Sequence, residues 1–303
     1  MPLNRSDLAD LFYFQSIAQH KSFSRAAIEL GVSASALSHA LKGLENRLGV
    51  RLLNRTTKSV TLTGAGDALF VSLDQPFETI SSALEALNRF RDSPAGRIRL
   101  NVAVEAATLL LGPVLADFSE RYPDIILDIV ANNRIVDVTE GGFDAGIRYG
   151  GTVPEGMIAQ RLSNEIRWVV VGSPQYLQRF GVPQHPDDLQ THRCISSRLG
   201  DDRIYRWEFQ KDNQAMAIAV PLSITVDHAE TGLVAVLRGA GLMYLPEPLV
   251  QPYVQANQLS YVLSDWAPVE PGFHIYFSGH RQVPTGLRLL IELVRELKPL
   301  GYE

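Results

Sequence analysis

Seven histidines and one cysteine are the residues of this chain best suited to hold a metal or move protons, and their spacing fits neither task. His20, His39, His185, His192, His228, His274 and His280 contain no i, i+4 pair of the kind that sets two imidazoles on one helix face. His192 and Cys194 stand two apart with no second pair to complete a tetrahedral site. A lone cysteine rules out an intramolecular disulfide and a two-cysteine redox switch. Gly64-Ala65-Gly66 has part of a dinucleotide loop, but the third glycine is missing and no βαβ unit follows. Neither a Gly-x-Ser-x-Gly elbow nor a phosphate-binding loop occurs. The expectation is a non-enzyme that needs no metal and no cofactor.

The side chains left to do chemistry are basic, and they are concentrated at one end. Residues 1–64 hold Arg5, Lys21, Arg25, Lys42, Arg47, Arg51, Arg55 and Lys58 against four acids, whereas the whole chain is at −5. A basic head on an acidic body is what local attraction to phosphate requires. At 303 residues the chain suits two or three domains, and its 46% apolar and 20% charged content is that of a globular protein. No apolar run approaches the ~20 residues of a membrane span, so no membrane partner is expected. The opening MPLNRSDLADLFYF does not read as an export signal, which predicts a cytoplasmic location.

Three short helices should position the basic residues. The first starts near Ser6 or Asp7. The second is expected to be capped by Ser24, with Phe23 and Ile28 as a hydrophobic staple, and to stop at Gly31. Ser33 caps the third, which runs through Leu37, Leu41, Leu44 and Leu48 to Gly49. Ala27, Gly31 and Leu37 follow the order of a DNA-binding helix-turn-helix, in which small residues permit a steep crossing. RLLNRTTKSVTLT then reads as a two-stranded wing with Arg55 and Lys58 at its tip. A small helical bundle with a solvated charged face is the alternative.

The segment FSRAAIELGVSASALSHALKGLENRLGVRLLNRTTKSVTLTGAG resembles the DNA-binding domain of the bacterial LysR-type transcriptional regulators across residues 8–70. The resemblance implies that Ala34, Ser35, Ser38 and His39 face the major groove and that Lys42 touches phosphate. It further implies that Ser33 caps the reading helix, and that Arg25, Arg55 and Thr57 grip the backbone or the adjacent minor groove. The family often has Gln-Pro where this chain has Ala34-Ser35, and Arg where it has His39. Long hydrogen-bonding side chains are therefore scarce on the groove face, and DNA shape should carry more of the specificity.

Leu73, Phe77, Ile80, Leu84 and Leu87 step by 4, 3, 4 and 3. This heptad seam suits a helix paired with a second copy of itself, or one lying on its own chain. In the resembled family such a linker makes the dimer. Pro76 predicts a kink or break near residues 72–76, and residues 91–96 a hinge loop.

From Arg97 the pattern alternates strands (98–104, 125–131, 144–150, 166–173) with helices (about 108–122 and 287–297), and residues 231–246 read as a helix, a glycine turn and a strand, implying an α/β fold with mostly parallel sheets. F.ERYPDI, VTEGGFDAGIRYG, VVGSPQYL, GVPQHPDDLQTHRCI and AVLRGAGLMYLP resemble the LysR-type effector-binding domain, a two-lobed fold like the periplasmic binding proteins. The organisation expected is α plus α/β. Residues 1–64 form a winged helix-turn-helix, 65–92 a linker helix and 93–303 an effector domain. Lobe I comprises about 97–166 with 269–303, and lobe II about 167–268.

A small-molecule effector would bind between the lobes. By position, the candidates are Glu105, Thr108, Asn133, Arg134, Ser196, Ser197, Arg198, Asp227, His228 and Glu230. Arg134 and Arg198 suit an organic acid, whereas Glu105 and Glu230 oppose one or recognise an amine. A solute-binding protein is the rival reading, which the absent export signal and attached DNA head disfavour. The partners implied are double-stranded promoter DNA, the effector, further copies of the chain as a dimer or tetramer, and RNA polymerase.

Overall fold

In a computed structural model, the structure describes residues 7–55, 60–90, 93–138, 141–212, 214–279 and 283–302, with the side chains of Arg55, Arg89 and Phe90 outside that description. Thr57, Lys58 and His280 lie outside the described residues. Two compact units account for the chain, one built mainly from residues 1–91 and the other from 92–303.

The first unit is a helical head. α1 (Asp7–His20), α2 (Phe23–Leu30) and α3 (Ala34–Leu48) enclose a core in which Phe14, Ile17, Ala26, Leu37 and Leu41 are fully buried. Gly31 takes the left-handed conformation at φ 65°, so the turn between α2 and α3 needs no other residue type. Ser33 caps α3 as expected, its Oγ accepting from Ala36 N at 3.1 Å. The cap of α2 differs from expectation. Ser22, extended at φ −161°, accepts from Arg25 N, and Ser24 sits in the first turn. With the cap two residues earlier, the staple position falls on buried Ala26, and Ile28 is 83% exposed.

β1 (Leu53–Arg55) and β2 (Val60–Leu62) pair antiparallel as the wing. Glu45 Oε1 accepts from Leu52 N (2.8 Å) and Leu53 N (3.2 Å), tying α3 to the wing. α4 (Gly64–Glu85) starts on a Thr63 cap, and a Cβ on Gly66 would lie 2.0 Å from Leu52 O. Gly66 serves this close backbone packing, whereas a Cβ on Gly64 would meet nothing within 4 Å.

α4 is continuous through Pro76, so the predicted break is absent. Pro76 leaves the Ser72 carbonyl without its donor, but hydroxyl bonds from Ser72 to Ala68 O and from Thr79 to Gln75 O, both 2.8 Å, brace the neighbouring turns. The N-terminal half of the seam is partly covered by the head, with Leu73 against its core and Phe77 at 5.6 Å from Phe12. Ile80, Leu84 and Leu87 are 47%, 63% and 50% exposed.

The second unit holds two mixed sheets. β3 (Gly96–Val102) leads into α5 (Val104–Ala106), a π-turn and a 3-10 turn at Pro113, then α6 (Leu115–Arg121). The single helix expected over 108–122 is thus segmented, because Pro113 lacks the N–H that regular helix needs. β4 (Ile125–Ala131), β5 (Ala145–Tyr149) and β6 (Ile158–Arg161) follow. Next come β7 (Ile166–Gly172), α7 (Pro174–Phe180), β8 (Cys194–Ser197), β9 (Trp207–Lys211), β10 (Gln214–Ile218) and β11 (Leu222–Val226). α8 (Ala229–Leu237), β12 (Leu242–Pro246), α9 (Glu247–Gln255), β13 (Ser260–Val262), β14 (Val269–Glu270), β15 (Phe273–Phe277) and α10 (Thr285–Leu297) complete it.

Lobe I has the strand order β4-β3-β5-β15-β6, and lobe II β11-β8-β12-β7-β13 with β14 also on β7. β4-β3-β5 and β11-β8-β12 are parallel, whereas β6, β15, β7, β13 and β14 pair antiparallel. The chain crosses between lobes at β6–β7 and at β14–β15. These strands re-enter each sheet in the opposite direction, so the sheets are mixed where mostly parallel ones were expected.

Candidate nucleic-acid interface and interlobe cleft

α3 buries Leu37, Leu41 and Leu44 and leaves Ser35, His39 and Lys42 exposed. Those three recur at i, i+4 and i+7, a single helix face. Ser35 Oγ is hydrogen-bonded to Ser33 Oγ at 2.9 Å. Ser38 is half-buried, and Ala34 packs partly against the head core. Arg25 is exposed on α2.

Arg47 belongs to the basic count but not to this face. Its Nε donates to Asp7 at 3.0 Å and its Nη2 to Asp10 at 2.5 Å, pinning the end of α3 to the start of α1. Both carboxylates are buried, so the guanidinium neutralises charge that the interior would otherwise penalise.

In the second unit, the C-terminal ends of β3, β4 and β5 meet those of β8, β11 and β12 across a cleft. Asn133 spans it: Oδ1 accepts from Val104 N (3.1 Å) and Nδ2 donates to Asp227 O (3.3 Å). Thr108 Oγ1 donates to Glu230 Oε1 across the same gap at 3.1 Å. His228 begins α8 without a side-chain cap bond, and its charge acts on Glu105. Arg134 and Arg198 are exposed at the rim, and Arg198 Nη1 donates to Asp202 O at 3.1 Å. Ser197 O accepts from Tyr205 N at 2.8 Å. Ser196 is fully buried and its hydroxyl has no partner.

The cleft holds groups that no sequence motif marked. Buried Arg148 directs Nη1 at Asn101 O (3.2 Å) and Ile147 O (2.9 Å). Its Nη2 bonds Asn132 O (3.1 Å), Arg134 O (2.9 Å) and Asn101 Oδ1. Burial pulls its pKa below the ordinary guanidinium value. Tyr149 stands 5.3 Å from Trp168, which stacks on Tyr244 at 5.4 Å and lies 6.4 Å from Tyr205. The Tyr149 and Tyr244 hydroxyls are buried without partners. Burial, above all, raises the pKa of Glu105, whose own backbone N–H, His228 and Arg148 only partly offset it.

Residues 8–67 match the bacterial regulatory helix-turn-helix proteins of the lysR family, and residues 91–298 match the LysR substrate binding domain. The chain belongs to the LysR-type transcriptional regulators. It is 38% identical over 295 residues to the HTH-type transcriptional regulator YcaN of Escherichia coli (strain K12), spanning 97% of this chain and 96% of that one. The HTH-type transcriptional regulator PgrR of the same organism is 32% identical over 294 residues, with 97% and 98% covered. The solved LysR-type regulator CrgA of Neisseria meningitidis superposes with a TM-score of 0.61 at 29% identity, covering 98% and 99%. Full-length AphB, a virulence activator of Vibrio cholerae, shares the fold with a TM-score of 0.65 at 23% identity, covering 95% and 98%. These relatives are regulators and not enzymes.

For this LysR-type regulator, Thr108 and Asn133 meet Glu230 and Asp227 across the cleft, Arg134 and Arg198 stand exposed at its margin, and Ser196 is buried. The structure adds Arg148, Tyr149, Trp168, Tyr205 and Tyr244. Arg148 carried a faint signal, a charge inside the otherwise apolar strand AGIRY. The aromatic residues come from four separate strands and loops and have no local signature. No described helix is long and apolar enough to cross a membrane.

Proposed function

We propose that α3 enters the major groove of promoter DNA through Ser35, Ser38 and His39. Lys42 and Arg25 hold phosphates, and Arg55, Thr57 and Lys58 of the wing reach the backbone or minor groove. The observation that carries this reading is the exposed Ser35–His39–Lys42 face opposite a fully buried leucine stripe. Ala34, half-buried, contributes little more than a methyl edge, so specificity rests on few base contacts and on DNA shape. The organisation is a head of 1–64, a linker of 65–92 and an effector domain of 93–303. The exposed Ile80, Leu84 and Leu87 support pairing of two linkers into a dimer, with a tetramer of paired dimers as the larger assembly.

An effector held between the lobes shifts the oligomer between arrangements that differ in the spacing of its DNA heads, and so alters recruitment of RNA polymerase. The protein works in the cytoplasm. Retention of fragmented genomic DNA by the purified chain tests the reading. A few sharp sites with an interrupted inverted repeat are expected, and no retention at any salt concentration overturns it.

A further inference from the structure

The charged and polar groups inside the cleft are unequally satisfied, and this inequality says what kind of molecule fits. The Nη hydrogens of Arg148 already face five oxygen acceptors, which leaves its buried Nε as the one unpartnered donor of that guanidinium. Arg198 is turned to Asp202 O at the rim. Carboxylates stand on both sides of the cleft. Glu230 of lobe II acts on Glu105 of lobe I, and Glu208 and Glu270 act on Tyr244.

Three buried hydroxyls, those of Tyr149, Ser196 and Tyr244, have no hydrogen-bond partner. Such groups cost free energy unless something arrives to use them. Ser196 lies two residues from Cys194 on β8, hence on the sheet face that carries Tyr244 and Trp168. Tyr149 approaches from lobe I, close enough for Glu105 and Tyr205 to act on its hydroxyl. The under-solvated carboxylate and the π faces attract a cation, and the hydroxyls beside them can accept from its N–H groups.

We infer that the interlobe site takes an organic cation, its ammonium or amidinium held by Glu105 and Tyr149 and its apolar body resting on Trp168 and Tyr205. The inference rests on the cleft being the effector site. An organic acid seated against Tyr149 would stand beside the Glu105 carboxylate and is disfavoured there.

Two probes with one phenylethyl body and opposite heads, phenethylammonium and 3-phenylpropanoate, test this by calorimetric titration of the full chain. Wild type, Glu105→Gln, Tyr149→Phe and Trp168→Phe are compared, with unliganded melting curves as a folding control. The ammonium compound is expected to bind and the carboxylate not to, with Glu105→Gln weakening binding about tenfold or more. Binding of the carboxylate alone, lost in Trp168→Phe, keeps the cleft and overturns the cationic class. No binding of the ammonium compound to wild type overturns it too. Ammonium binding that is equal in all four proteins places the ligand elsewhere and overturns the reading of the cleft as well.

Discussion

The carbonyl oxygen of Asn133 in lobe I lies 2.0 Å from the point where a Cβ on Gly200 of lobe II would stand. Asn133 also bonds Asp227 across the cleft, so the lobes meet where only a glycine permits it. Gly200→Ala forces backbone against backbone, and overpacking of this kind costs about 1–3 kcal/mol. The substitution is expected to bias the lobes apart and weaken any cleft ligand about five- to 150-fold. Titration of the variant checks this, and unchanged affinity would show that closure does not accompany binding.

Arg47 separates structural from DNA-binding charge. Its guanidinium is held by Asp7 and Asp10, and it has no place on the Ser35–His39–Lys42 face. Arg47→Ala strands two buried carboxylates, so the melting temperature of the head should fall. The slope of DNA affinity against salt should stay as in wild type below that temperature. A flattened slope would move Arg47 to the phosphate contacts.

The head was largely legible in the sequence because its signals are local: Gly31 and Gly49 at helix ends, Ser33 as a cap, leucines at helical spacing. The cap of α2 was misplaced by two residues because Ser22 and Ser24 are equal candidates until Phe23 and Ala26 are seen to pack. The cleft was legible only as a place. Its aromatic wall joins Tyr149, Trp168, Tyr205 and Tyr244 through the two crossings between lobes, and no periodicity records such contacts. Similarly, the antiparallel strands follow from those crossings and not from strand propensity.

Lys42 and His39 share a helix face and should differ in what they read. If Lys42 holds a phosphate as proposed, Lys42→Ala is expected to reduce the salt slope by about 1 while weakening all sequences alike. His39→Ala should cost about 1–3 kcal/mol at particular base pairs and leave the slope unchanged. Competition with single-base operator variants at two salt concentrations distinguishes them. A uniform loss from His39→Ala would remove it from the base-reading set.

Cys194 is fully buried and burial pushes its pKa from 9.0 to about 12. The thiolate is the reactive form, so the native protein should resist iodoacetamide at pH 8 and react once unfolded. Because the folded pKa is the higher one, the stabilising contribution is full below pH 9 and is lost as pH rises toward 12. Mass spectrometry after alkylation checks the first point. Rapid native labelling would place the thiol at the surface.

Glu105 should impose a pH dependence on cleft binding. Burial raises its pKa most. Its own backbone N–H, His228 and Arg148 pull the other way, and Glu230 adds to the rise. Glu105 also acts on the Tyr149 hydroxyl, which stays protonated throughout the range of interest. A cation binds the ionised carboxylate, so it draws the Glu105 pKa back down and releases a proton from whatever fraction was protonated. Phenethylammonium should therefore bind more weakly as pH falls through the raised pKa of Glu105. Wild type, Glu105→Gln and His228→Gln are titrated in parallel. Loss of the pH dependence in Glu105→Gln, with its retention in His228→Gln, assigns the proton to the carboxylate. Retention of the pH dependence in Glu105→Gln would leave Glu105 ionised throughout.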